Sequence, residues 1–294
     1  MTTTHTSNER IVLITDGCCD IGTGEAQRRD IQVVPTGIIL GDGTQTDSSR
    51  FTAKDFWDSV LEDVDVLPKT WMPSPAQFLE VYKRAAAEGA THILVVAMSS
   101  GLSGTYDCAC QAAKNSPVPI EVIDSRAVTR GIATIVLAAA DARDAGLSFD
   151  EVVAYTRAVR NSMRIDFIVD SLEYLVRGGR AGKSAQILAT ALNIKPVLRV
   201  FEDGHIDSYK KCRGTKKALA ELAKRAIEDT PGEGWHYSMA MTSKPELEAL
   251  TNEALAKAGF KASYDGPFQV GIIVGIYCGP GTVGVLTYRY PPLP

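Results

Sequence analysis

From residue 10 to residue 162 short apolar runs alternate with stretches of helical periodicity, and this alternation restricts the fold more than any other feature of the chain. "RIVLITD" (10–16), "HILVVAM" (92–98) and "PIEVIDS" (119–125) read as strands. "PSPAQFLEVYKRAAAEG" (73–89) reads as a helix, with Ser74 as cap, proline at the first helical position and Gly89 as stop. Further helices are expected over 52–63, 104–114, 128–146 and 149–162. "IQVVPTGIIL" followed by "GDGT" reads as a strand entering a hairpin. Strands separated by helices argue for βαβ units and a mostly parallel sheet.

The pattern restarts after residue 162. Strands are expected at 164–170, on both sides of the turn "EDGH", at "HYSMAMT" and, as a closing pair, at 268–277 and 283–290. Helices are expected at "SLEYLVRGG", "SAQILATALN", 214–229 and 244–258. The chain therefore reads as an α/β protein of two lobes, 1–162 and 163–294. Ligands of such folds sit between lobes or at the carboxyl ends of strands.

Composition narrows the partners. The formal charge of −4 over 294 residues gives no footprint for nucleic acid. No apolar stretch reaches the ~18 residues of a membrane span. "MTTTHTSNER" lacks the basic start and apolar run of a signal peptide, and a cytoplasmic location is expected. Cys18, Cys19, Cys108, Cys110, Cys212 and Cys278 form no CxxC pair and read as free thiols. His5, His92, His205 and His236 have no ligand spacing, so no metal site and no cofactor are expected. Charge is uneven: residues 177–217 hold ten Lys/Arg against three Asp/Glu. That run is either a solvated face or a docking surface for something negative.

Several stretches place small or hydroxyl residues at strand or helix ends. "MSSGLSGTY" (98–106) puts Ser99, Ser100 and Gly101 between a strand and a helix. Such a turn is either a helix cap or a cradle for an anionic group. Enzyme motifs fail here. A nucleophile elbow would need glycine at Thr105, and in "GGRAGKS" the first glycine of a phosphate loop would fall on Arg177. Asp16 and Asp20 are candidate paired carboxylates, though an aspartate at a strand end is commonly a turn former.

"TDGCCDI", "VVPTGIILGDGT", "KTWMPSP", "MSSGLSGTY", "EVIDSR", "LEYLVRGGR", "NIKPVL", "DGHI" with "RGTKKAL", and "CGPGTVG" follow one another in an order and spacing that resembles the DegV family. The resemblance runs over nearly the whole chain. It implies two α/β lobes with a ligand tunnel between and within them, and a non-catalytic lipid-binding protein. FakB-like members hold a long-chain fatty acid and present its carboxylate to a partner fatty acid kinase, which forms the acyl phosphate from the ATP it binds. A chain of ~14 methylenes gains about 11 kcal/mol on leaving water, before ordering costs. Its carboxylate needs donors, since burying it bare is prohibitive. The resemblance implies that Thr70, Ser99, Ser100, Gly101 and Tyr277 supply them. Arg180, Lys183 and Arg213 are the implied docking residues for the kinase, with Lys216 and Lys217 beside them.

Two departures from the family pattern stand out. Its earlier loop reads Thr-Ser-Gln-Pro-Ser; here Thr70 and Ser74 are kept while Trp71 and Met72 replace the polar pair. Histidine two residues before the late Gly-Pro-Gly is replaced by Tyr277. A phenol donates a hydrogen bond but lacks the neutral-range titration of an imidazole, and it also packs well without bonding. Two other readings stay open. One is an enzyme turning over a small carboxylate or phosphorylated ligand in the interlobe cleft, with Asp16 or Asp124 as acid–base group; the other is a lipid-sensing regulator.

Overall fold

The computed structural model describes residues 9–48, 67–187 and 194–293. The helix expected over 52–63, and the end of that expected over 184–193, lie outside them. In chain order the described elements are β1 (Ile11–Asp16), α1 (Thr23–Arg28), β2 (Ile31–Val34), β3 (Gly37–Ile39), β4 (Gln45–Asp47), β5 (Lys69–Trp71), α2 (Pro75–Ala87), β6 (His92–Ala97), α3 (Thr105–Ala113), β7 (Ile120–Asp124), α4 (Arg130–Asp144) and α5 (Phe149–Ser162). There follow β8 (Arg164–Ile168), α6 (Glu173–Arg177), a 3-10 helix (Gly182–Ile187), β9 (Ile194–Val200), β10 (Ile206–Arg213), α7 (Thr215–Asp229), β11 (Trp235–Met241), α8 (Glu246–Ala258), β12 (Ser263–Gln269), α9 (Ile272–Cys278) and β13 (Val283–Arg289).

These elements form two compact units. The first takes the described parts of 1–36, 72–161 and 290–294; the second takes those of 37–71 and 162–289. The short hairpin strands β3 to β5 thus belong with the carboxyl-terminal half.

The first unit is built on a four-stranded sheet in the order β2-β1-β6-β7, every pair parallel. Parallel neighbours need crossover helices, which the segments between the strands supply. Helix α2 shows how the sequence fixes them. Ser74 forms a capping box with Gln77, and Pro75 sits in the first turn, where its missing N–H costs nothing. Phe78, Val81, Tyr82 and Ala85 recur at helical spacing and pack against Ile14, Ile93 and Val95 of the sheet. Full burial of Phe78 alone contributes about 1.5–3 kcal/mol.

The second unit holds a six-stranded mixed sheet, β10-β9-β8-β13-β11-β12, antiparallel except between β11 and β12. A separate antiparallel sheet runs β4-β3-β5. Alternation along the strands gives the large sheet two faces. One carries Ile168, Val197, Met239 and Val285 under Leu219 and Leu222 of α7 and Leu247 and Leu255 of α8. The other carries Ile165, Phe167, Leu198, Val200, Ala240 and Leu286, all buried and all apolar. The stretch 268–277, expected as a strand, splits into the end of β12 and helix α9. A continuous apolar run such as "VGIIVGIYC" has no periodicity to separate strand from buried helix.

A buried ion-pair cluster lies inside the helix-covered face. Arg199 on β9 donates from Nε to Asp166 Oδ1 at 2.7 Å and also bonds Asp229, with its guanidinium above the Tyr209 ring. Burial alone would lower its pKa; the two carboxylates hold it well above the usual arginine value. Arg199→Met is expected to cost about 3–5 kcal/mol, because it strands Asp166 as a buried uncompensated charge. Urea denaturation reads this as a lower midpoint at unchanged slope.

Candidate functional site

Each unit places polar groups at the ends of its elements, and the two sets differ in what they hold. In the first unit β1 ends on Asp16, which is fully buried. Its Oδ1 accepts from Cys18 N at 2.9 Å and its Oδ2 from Met98 N at 2.7 Å, so it ties the end of β1 to the end of β6. Burial pushes its pKa up, against the pull of those two N–H groups. The serine turn follows directly. Ser99 is buried and donates its N–H to Ala127 O at 3.2 Å. Ser100 donates from Oγ to Asp124 Oδ2 at 2.6 Å and from N to Oδ1 at 3.1 Å. Gly101 sits in the bend, and Ser103 Oγ accepts from Thr105 N at 3.3 Å at the start of α3. Ser103 therefore takes up the first N–H of α3, while the one hydroxyl proton of Ser100 goes to a carboxylate of the same unit.

In the second unit a cavity of about 470 Å³ lies over α6, α9 and β5. Lys69, Arg177 and Arg180 line it, with Thr70, Tyr174 and Tyr277, and no carboxylate is among the described lining residues. Thr70 Oγ1 and Tyr277 Oη share a hydrogen bond of 2.6 Å. Two hydroxyls bring two protons, and their mutual bond uses one. The Arg180 guanidinium stands over the Tyr277 ring, 4.9 Å from its centroid, and its Nη1 donates to Gly178 O at 2.6 Å. Close packing fixes the aromatic ring. A Cβ on residue 178 would lie 2.2 Å from Tyr277 Cδ1, and one on residue 279 would lie 2.3 Å from Tyr174 Cδ2. Gly279 also has φ +71, a backbone that side chains rarely tolerate. The cavity can hold an anionic head group: Lys69 and Arg180 line it together with Arg177, which also pairs with Glu173 at 2.8 Å, and hydroxyl donors converge in it.

The family model described as "Uncharacterised protein, DegV family" matches residues 10–289. The chain belongs to the DegV family. A DegV domain-containing protein of Deinococcus radiodurans is 31% identical over 277 residues, covering 94% of this chain and 97% of that one. Among solved structures, a fatty-acid-binding DegV family protein from Thermus thermophilus is 32% identical at a TM-score of 0.85, covering 95% of this chain and 99% of that chain. The fatty-acid-binding DegV family protein of Streptococcus agalactiae is 25% identical at a TM-score of 0.87, over 96% and 100%. The α/β architecture is thus that of the DegV fold.

Of the expected DegV residues, the second unit brings together Thr70, Tyr277 and Arg180. Arg180, expected on a docking face, lines the cavity beside Tyr277. Lys183 and Arg213 are exposed. Ser99, Ser100 and Gly101 stand in the first unit with the partners described above. Among the described residues no group of three or more His, Cys, Asp or Glu is arranged to hold a metal ion, and no helix is long and apolar enough to cross a membrane. Sequence reasoning passed over Tyr174, Lys69 and the steric role of the glycines. "LEYLVRGGR" contained the signal, because a glycine inside a helix end, before the one that stops it, points to a close neighbour.

Gly178→Ala is expected to lower stability by about 1–3 kcal/mol, since the new methyl meets a ring held on its other side. Combining it with Tyr277→Leu should recover part of that loss. Chemical denaturation of the two variants checks both, and an unchanged midpoint for Gly178→Ala would show that the ring yields freely.

Proposed function

We propose that this protein binds a long-chain fatty acid and holds its carboxylate in the cavity of the second unit. The observation that carries the reading is the 2.6 Å pair of Thr70 and Tyr277 on the wall of a cavity whose described charged lining residues are cations. The pair has one proton left to donate, and Arg180 supplies the charge-assisted partner that a carboxylate requires. The fatty-acid-binding relatives from Thermus thermophilus and Streptococcus agalactiae support the ligand class. The buried apolar face of the large sheet, with Phe167, Leu198 and Leu286, offers the kind of surface an acyl chain needs.

In this reading the protein is a carrier without chemistry of its own, acting for a fatty acid kinase that binds the ATP. Exposed Lys183 and Arg213 are the proposed contacts for that kinase. The Ser99–Gly101 turn is proposed as a further element of head-group recognition, and Ser100→Ala is its test. Support for the carrier over the enzyme reading comes from Asp16 and Asp124, the acid–base candidates, both of which are engaged with donors of their own unit.

Organic extraction of the purified protein followed by mass spectrometry should return about one fatty acid per chain. An extract without fatty acid, from folded protein that also fails to take up added oleate, would overturn the reading. Thr70→Val and Tyr277→Phe should each weaken oleate binding by about three- to tenfold, the net worth of one neutral hydrogen bond. Arg180→Met should cost about tenfold or more, as expected for a bond to a charged group.

A further inference from the structure

The carboxyl end of the parallel sheet in the first unit carries a group of charges that fatty-acid binding does not use. Helix α5 presents Arg157 and Arg160, one turn apart on the same side. Arg157 pairs with Glu121 on β7. Three residues further along that strand stands Asp124, whose acceptors are taken by neutral donors: Oδ1 receives Ser100 N and Arg126 N, at 3.1 and 3.0 Å, and Oδ2 receives Ser100 Oγ at 2.6 Å. Arg126, just beyond the strand, is exposed and sits at φ +49, outside the usual backbone range of a side-chain-bearing residue. Among the described residues, Arg160 Nε is buried and has no hydrogen-bond partner.

A buried guanidinium N–H without an acceptor is costly, and such a group in a folded protein calls for a missing partner. The surroundings indicate its charge. Burial, and next the nearby Arg126, press the Arg160 pKa below the usual arginine value, with Asp124 opposing. We propose that Arg126 and Arg160 form a binding site for a phosphoryl oxyanion at the carboxyl end of β7. A carboxylate offers one planar edge, which a single guanidinium fork satisfies. A tetrahedral phosphate offers several edges and bridges two forks reaching from separate elements. The site lies where parallel α/β sheets bind ligands, beyond the carboxyl ends of their strands. It involves residues of the first unit alone and stands independently of the fatty-acid cavity.

Isothermal titration with inorganic phosphate, ATP and acetate tests it, each as the sodium salt at constant ionic strength. Phosphate should bind and acetate should not, with affinity for phosphate at least tenfold weaker in Arg160→Met and in Arg126→Gln and unchanged in a variant of the exposed Lys261, Lys261→Gln. Tighter binding of ATP than of phosphate, lost in the same two variants, would identify a nucleotide as the source of the phosphoryl group; equal or weaker binding would identify free phosphate. Thermal unfolding reads the same site by a second route, since phosphate should raise the midpoint of the parent protein and not of Arg160→Met. Absence of phosphate binding, equal binding of acetate, or affinity untouched by both substitutions in folded protein would overturn the proposal.

Discussion

Two hydroxyls 207 residues apart in the chain stay 2.6 Å from one another only if both of their supports are rigid. On the helical side the support is a reciprocal exchange of glycine and tyrosine. Gly178 makes room for the Tyr277 ring, and Gly279 makes room for that of Tyr174. Each glycine lies close to the tyrosine of the opposite segment, so α6 and α9 approach more closely than any larger residues would allow. The cavity is a consequence of that approach. Without it Tyr277 would not reach Thr70, and Arg180, bonded to Gly178 O, would lose its place above the ring.

The two units treat charge in opposite ways. In the first, the donors of the serine turn are absorbed by carboxylates of the same unit: Asp16 takes Met98 N, and Asp124 takes both donors of Ser100. These bonds make the ends of β1, β6 and β7 rigid. In the second, Lys69, Arg177 and Arg180 line a cavity with no carboxylate among its described lining residues, and the hydroxyls there bond one another. A donor already spent on an aspartate and a donor spent on another hydroxyl look alike in the sequence. Only the second pair retains a proton to give.

Much of the fold was legible because local signals agreed with one another. The Ser74 cap, Pro75 and Gly89 bound α2 as expected, and β6 fell on "HILVVA" because an apolar run between two helical patterns has few alternatives. Helix α9 was not legible. "GIIVGIYC" lacks both a polar face and a helix cap, and its helical state comes from packing against α6. For the site, the residue types and segments were visible, but their grouping was not. Arg180 read as part of a basic surface run, since a charge run says nothing of a tyrosine ring nearly a hundred residues later. Gly178 read as a helix stop, although its φ is ordinary and its requirement is purely one of space.

Trp71 and Tyr277, two of the three positions at which this chain departs from the expected family pattern, stand on either side of the same hydrogen bond. On β5 Thr70 and Trp71 are neighbours and point to opposite sides. Trp71 pairs with Gly37 across the sheet, and a Cβ on residue 37 would lie 2.6 Å from Trp71 Cε2, so the indole rests directly on the backbone of β3. That contact fixes the position of β5 and with it the height of the Thr70 hydroxyl. On the other side, a tyrosine hydroxyl stands farther from its backbone than the donor of a histidine does. A longer residue at 277 needs its partner set back, and a bulky ring beneath the strand is one way to set it. Trp71 and Tyr277 are therefore best understood as one adjustment made at both ends of a single contact. A change at either position alone would leave the two hydroxyls mismatched.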